Sequence, residues 1–508
     1  MPHEALVPVV ERFLQLVRFG DTTSIEPKEG EEVVTSQGQI NLGDMIIEEL
    51  LKAGVSKGQI LRLKDYSFLV HFPPTPGFDK APHICFNAHL DTCPDAPGLV
   101  NPLVHHYEDG DLALGQSGLV IPAKRLRKLT HQVIITSDGT SLLGADDKAG
   151  VAIMMETIVQ IRALKKPHGP LTFWFCVNEE IGSMDIGHVP DEIVKTWDLL
   201  WSLDGENVGP VDDECFYGRS VGLVFHGTAR TAQRAAMDFW NLLTQVYDVP
   251  MKHEPDSKLS FVYVQKGPAG MTATQAQIKV KLIKGEAINN VCQMAGQSAG
   301  EYGCRVNVEV HPDEEEVLLT FHGRNAHIGV AGPQVKAAHY ATMDFWYWLV
   351  KRDYEPMIID DQPDGANAGV VSLHILPRSF KADESQEMSD NIVKFAQRVA
   401  EEYLCTVTAT PKLQYVSTIE AIRPKQHLVD VVLQAHQLNG VAAFRHSVRA
   451  GTDPAMANIK YPNLPGLNTG TGAYDLHSKG EFCVARELGL AQKVALTGID
   501  LFGQLVVA

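Results

Sequence analysis

HICFNAHLD, residues 83–91, is a short apolar run that ends abruptly in a histidine and an aspartate. LTFWFCVNEE, residues 171–180, repeats the form and ends in two glutamates. Runs of this length and apolarity, bounded by polar residues, predict β-strands. Helical spacing of apolar side chains appears at about 4–18, 43–54 and 147–163, between and around those strands. The alternation predicts an α/β fold over residues 1–218, a sheet covered by helices. Residues 414–508 return to the same style, with helices predicted at 426–438 and near 484–502.

The middle of the chain reads differently. VGLVFHGTARTAQRAAMDFW (221–240) is echoed by VLLTFHGRNAHIGVAGPQVKAAHYATMDFW (317–346), and EYGCRVNVEV (301–310) by EEYLCTVTAT (401–410). Ordered correspondences at a spacing of about 100 residues predict an internal duplication. Each copy reads as strand, helix, one or two strands, helix, strand, the order of a small α+β sandwich. Four segments follow: 1–218 and 414–508 as one α/β domain, with 219–314 and 315–413 as two inserted repeats.

Composition narrows the partners. The 508 residues carry 44 Lys+Arg against 62 Asp+Glu, a formal net charge of -18, and no basic run is long enough to neutralise successive phosphates. Nucleic acid and anionic membrane surfaces are therefore excluded as expected partners. No stretch approaches the roughly 20 apolar residues that span a bilayer. The first twenty residues, MPHEALVPVVERFLQLVRFG, lack a basic start and a continuous apolar stretch, and read as the first helix of a folded domain. Eight cysteines are scattered without paired short spacing, so reduced thiols and a cytoplasmic location are expected.

Five segments carry chemistry. In the first strand, His89 and Asp91 share a face because side chains two apart do so, and a carboxylate there can hold the second ring nitrogen of a metal-bound imidazole. LLGADDKAGVAIMMETI (142–158) places Asp146 and Asp147 in a turn directly before a helix. Alone, such a pair is an ordinary helix cap. FWFCVNEEIGS (173–183) ends an apolar strand in Glu179 and Glu180, whose desolvation and mutual repulsion call for a cation or a proton. LLWSLDGENVG (199–209) presents Asp204 at a strand end, and NTGTGAYDLHSKGEF (468–482) carries His477 in a glycine-rich loop. Jointly these supply two histidines and several carboxylates, the donor set of hydrolytic zinc, and two metals share such a set naturally when one carboxylate bridges.

In this order the segments resemble the two-zinc exopeptidase family that includes peptidase T, glutamate carboxypeptidases and aminoacylases. The blocks NAHLDTCPD (87–95), GDLALG (110–115), TSDGTSLLGADDKAG (136–150), NEEIG (178–182), RAGTDPA (449–455) and YDLHSKGEF (474–482) are most similar to the peptidase T branch. The resemblance implies a zinc-exopeptidase catalytic domain, with a mixed, mainly parallel sheet flanked by helices, and an inserted, duplicated α+β ferredoxin-like lid. It implies two Zn2+ per chain, with Co2+ or Mn2+ as substitutes. Asp146 would bridge, His89 and Asp204 would complete one metal, and Glu180 and His477 the other. It further implies Glu179 as general base, Asp91 as the group orienting His89, and a cis peptide between Asp146 and Asp147. Arg449 would hold the substrate carboxylate, and His327 the oxyanion.

The implied activity is removal of the N-terminal residue from short peptides, tripeptides foremost. Hydrolysis of dipeptides or N-acyl amino acids is the alternative within the same family, and a non-catalytic binding protein the distant one. A duplicated lid can supply within one chain a pairing that dimeric relatives make between chains. The expectation is a monomer, or a homodimer whose contact is dispensable for activity.

Overall fold

The computed structural model describes residues 7–25, 33–94, 96–115, 117–182, 186–227, 234–242, 259–263, 275–281, 288–301, 304–311, 316–322, 347, 355–357, 370–448 and 451–505. They divide into two compact units. One comprises Met1–Cys215, Ser417–Val448 and Thr452–Ala508; the other is chiefly Phe216–Val416.

The first unit is built on an eight-stranded sheet. In chain order its strands are β1 (Ile60–Arg62), β2 (Phe68–Phe72), β3 (Ile84–His89), β4 (Leu171–Cys176), β5 (Leu199–Gly205), β6 (Pro210–Cys215), β7 (Phe444–Val448) and β8 (Gly466–Gly470). They lie in the order β1-β2-β4-β3-β5-β8-β6-β7. The central strands β4, β3, β5 and β8 run parallel, while β1, β2 and the β6–β8 pair add antiparallel contacts. The sheet is thus mixed and mainly parallel at its centre. Every side chain of β3 and β4 is buried, which explains why both read as unbroken apolar runs rather than alternating ones.

Register places the strand ends. Phe86 of β3 lies opposite Phe173 of β4 and Trp201 of β5, with ring centroids 5.3 and 5.0 Å apart. The same register sets His89 level with Cys176, so the Asn178–Glu180 turn leaves β4 beside the end of β3.

Helices α1 (Pro8–Arg18), α2 (Gln37–Lys52), α3 (Ala145–Leu164), α4 (Gln426–Leu438) and α5 (Ala485–Gly503) flank this sheet. α3 packs against β3 and β5 on one side and α1 and α5 on the other, which buries it almost all round. Ile84, Phe86 and Ala88 join its core, whereas Cys85 points to the opposite layer, so the period-two pleat sends Asn87 and His89 the way of Cys85. Among the described residues no helix is long and apolar enough to cross a membrane.

The second unit holds two four-stranded antiparallel sheets. One has the order Leu259–Tyr263, Val370–Ser379, Tyr217–His226, Thr406–Tyr415; the other Arg305–His311, Glu316–His322, Gln275–Lys281, Glu355–Met357. With the helices Ile288–Glu301 and Ala382–Glu402 this is an α+β arrangement, and one apolar cluster, including Phe225, Trp240, Phe321, Leu373 and Ile392, joins both sheets. The strand pairing crosses the boundary drawn between the two expected repeats. Each sheet takes two strands from residues 219–314 or their leading edge and two from residues 315–413. The reason is local: Arg305–His311 and Glu316–His322 are consecutive strands that close as a hairpin across the expected boundary.

α3 contains a steric constraint that propensity alone would miss. A Cβ on Gly150 would sit 2.1 Å from the Leu203 carbonyl oxygen and 2.5 Å from Asp147 Oδ1. Within a helix alanine ordinarily stabilises by about 1 kcal/mol over glycine; here Gly150→Ala is expected to destabilise by about 1–3 kcal/mol through overpacking. A thermal unfolding midpoint equal to or above that of the parent protein would contradict this packing.

Candidate metal centre

The carboxyl ends of parallel strands are where open α/β sheets place their ligands, and here they collect acids. His89 closes β3, Glu179 and Glu180 lie in the turn after β4, and Asp204 lies at the end of β5. Asp146 sits at the head of α3, and His477 projects from the loop after Tyr474 with a left-handed φ of 57°. The Asp146–Asp147 peptide is cis.

The Asp146 carboxylate lies between the two histidines. Its Oδ1 is 2.9 Å from His89 Nε2, and its Oδ2 is 3.0 Å from His477 Nε2. On one side His89 Nε2 also faces Asp204 Oδ1 at 3.6 Å and Glu179 Oε2 at 3.9 Å. On the other, His477 Nε2 faces Glu180 Oε2 at 3.2 Å. All seven expected residues of this centre, His89, Asp91, Asp146, Glu179, Glu180, Asp204 and His477, thus meet in one place. Arg449 and His327 lie outside the described residues.

Supporting groups fix the constellation through backbone amides. Asp91 accepts from the Glu179 and Glu180 N–H groups at 3.1 and 3.0 Å and from the Ser24 hydroxyl. Its carbonyl oxygen lies 3.1 Å from His89 Nδ1, nearer than its carboxylate at 3.5 Å. Asp147 turns away from Asp146, accepting from the His89 amide at 3.2 Å and the Gly150 amide at 3.0 Å. Adjacent acids therefore do different work, one facing the centre and one tying strand to helix. His89 and Asp91 side chains are 0% exposed, whereas Glu179, Asp204 and His477 retain 20, 16 and 13%, so a substrate can reach the latter.

Three further groups escape a reading by ligand spacing. Glu481 accepts from the Gly144 and Asp146 amides at 2.8 and 2.9 Å and so holds the turn that aims Asp146. Asp453 is buried, and accepts from the Asn87 side chain. Cys93 lies beside Glu180 and His477. Each stands inside a motif already singled out, and an acid or thiol in a block otherwise composed of site residues is the signal that could have found it.

Electrostatics favours cations. Burial and the neighbouring Asp146 push the Asp204 and Glu180 carboxyls well up, and burial with Asp453 pushes Glu179 up to about 8. Burial also opposes ionisation of Asp146, but hydrogen bonds from His477 and His89 overcome it and hold that carboxyl well below its usual range. Despite burial, acceptors including Asp146 hold His89 and His477 well above the usual imidazole value.

The donors fit metal ions. His89, Asp146 and Asp204 offer ligand atoms within 4.8 Å of one another, as do Cys93, Glu180 and His477. Donors about 2.0–2.1 Å from one zinc stand roughly 3.3 Å apart in a tetrahedron, within the range of separations found here. Glu180 Oε1 is buried with no hydrogen-bond partner, an acceptor that a cation would satisfy.

No family model matches the sequence. A peptidase T from Vibrio parahaemolyticus is 32% identical, over 93% of this chain and 93% of that protein. The fold is similar to that of a tripeptidase from Staphylococcus aureus, with a TM-score of 0.60, 15% identity and 98% of each chain covered. It is also similar to a dinuclear metal-binding peptidase from Bacillus subtilis, with a TM-score of 0.51, 10% identity, and 98% of this chain and 97% of that one covered. Fold, acid-lined strand ends and relatives define the class: a hydrolase, specifically a metallopeptidase. The chain belongs to the peptidase T family.

The shifts set a pH dependence for the metal-free protein. Glu179 keeps its proton to about pH 8 when folded, against an ordinary value of 4.5, so its contribution to stability falls as pH rises between those values. His89 and His477 contribute fully below their ordinary 6.5 and lose that contribution as pH rises through their raised folded values. Asp146, depressed, titrates below this window. Chelated protein is expected to melt at a lower temperature near about pH 8 than near about pH 5.5, and added Zn2+ to raise the midpoint more at the higher pH, because binding displaces protons. A zinc-induced shift that does not grow with pH would contradict this account; thermal melts with chelator and with zinc measure it.

Proposed function

We propose that this chain is a two-zinc aminopeptidase that removes the N-terminal residue from tripeptides. The observation that carries the reading is the Asp146 carboxylate, which offers one oxygen toward the His89 cluster and the other toward the His477 cluster. The mixture of imidazole and carboxylate donors suits zinc, with cobalt or manganese as substitutes. Relatives named peptidase T and tripeptidase support the substrate class. We further assign a cytoplasmic location, and a monomer or a homodimer whose contact is dispensable.

His89, Asp146 and Asp204 would hold one ion, and Asp146, Glu180 and His477 the other. Bound cations supply Lewis acidity, which acidifies water and polarises the scissile carbonyl. Glu179 takes the proton of the attacking water and returns it to the leaving amine. Its placement suits the task, with Oε2 3.9 Å from His89 Nε2 beside the first set of donors and its amide tied down by Asp91. Glu180, one residue on, is committed to the His477 side, so the two glutamates divide base and ligand between them. Arg449 would hold the substrate's terminal carboxylate by a bidentate pair, and His327 would stabilise the tetrahedral oxyanion.

The test combines substrate and variant. Zinc-loaded protein is expected to release the first residue of free tripeptides and to leave N-acetylated tripeptides intact. Glu179→Gln is expected to lower kcat by about 10²–10⁴ while zinc content stays unchanged. Efficient hydrolysis of N-acyl amino acids with inert tripeptides would refute the substrate assignment, and unaltered turnover in the variant would remove Glu179 from its role.

A further inference from the structure

Cys93 stands two residues beyond Asp91 and four beyond His89, on the segment that leaves β3. It is 2% exposed and packs against Ala96 and Leu142. A buried cysteine in apolar surroundings is ordinarily inert. Its polar surroundings set this one apart. Its sulfur, a Glu180 carboxylate oxygen and a His477 ring nitrogen lie within 4.8 Å of one another, and the His477 ring is within hydrogen-bonding reach of the thiol. Glu180, with 2% side-chain exposure, turns Oε2 toward His477 Nε2 at 3.2 Å, and its other oxygen, Oε1, is buried without a hydrogen-bond partner. Nitrogen, oxygen and sulfur donors thus converge on a pocket already short of a positive charge.

We propose that Cys93 is a fourth protein ligand, a thiolate, to the cation held by Asp146, Glu180 and His477. This rests on the two-cation reading above. As the sulfur–metal bond forms, the S–H bond breaks heterolytically and its proton leaves to solvent, so no oxidant is involved. The two halves of the centre then differ in kind. The His89, Asp146 and Asp204 half offers only nitrogen and oxygen, whereas the Cys93 half adds a soft donor that favours zinc and cobalt over manganese and magnesium. The chain would hold its two ions with unequal selectivity, the sulfur-bearing half being the thiophilic one.

X-ray absorption at the zinc edge of the full-length, zinc-loaded protein tests this. The expected spectrum contains a zinc–sulfur shell at about 2.3 Å amounting to roughly one sulfur for every two zincs, and Cys93→Ser abolishes it. Two bound zincs with nitrogen and oxygen neighbours alone would overturn the Cys93 assignment and leave the two-metal reading standing. A sulfur shell that survives in Cys93→Ser would also overturn it, since another cysteine would then be the ligand. Protein that binds no zinc would overturn both readings. The cobalt-loaded parent protein gives a measurement independent of any variant: a sulfur-to-cobalt charge-transfer band in the near ultraviolet is expected, and its absence overturns the proposal.

Discussion

One carboxylate between two imidazoles organises this molecule. Asp146 sits in a buried cluster where Glu179, Glu180 and Asp204 are all driven toward their neutral forms, yet it is itself held ionised by His89 and His477. An isolated buried charge would be untenable. Its two oxygens, each directed at a different histidine, split the surrounding donors into two sets that share a single member. The chemistry assigned to the centre depends on that sharing.

Much of the nearby architecture keeps Asp146 and its neighbours from relaxing. Glu481 secures the turn before α3 through two backbone amides, Asp147 ties the head of that helix to the end of β3, and Asp91 secures the turn that carries Glu179 and Glu180. In each case a buried carboxylate accepts backbone N–H bonds, which satisfies the acid and fixes the loop together. Sheet register supplies the coarse alignment, because β3, β4 and β5 all end at the same side of the sheet. Close approach of α3 to β5, permitted by Gly150, brings the helix start to that edge. Stability and site geometry are thus coupled through the same few residues.

The α/β unit was largely legible. Buried strands announce themselves as apolar runs, and the helix ends at Leu164, Leu438 and Gly503 fall close to where periodicity stops. The site residues were legible for a related reason, since acids at the ends of apolar strands have few bland explanations when several occur together. What escaped was pairing. Echoed motifs indicate which segments are alike, but not which strand closes on which, and in the inserted sheets the consecutive strands Arg305–His311 and Glu316–His322 pair with each other. Supporting side chains were harder still. Glu481, Asp453 and Cys93 act through partners more than 80 residues away in sequence, and no periodicity reports such contacts. The role of Asp91 was only partly visible, because spacing reveals that it shares a face with His89 but not that its carboxylate also caps the glutamate turn.

The central claim is spatial, and anomalous diffraction tests it directly. Crystals equilibrated with zinc and measured on either side of the zinc edge are expected to show two peaks, one against His89 and Asp204 and one against His477 and Glu180, with the Asp146 carboxylate between them. A single peak, or ions bound elsewhere while Asp146 remains hydrogen-bonded to both histidines, would contradict the shared-carboxylate centre.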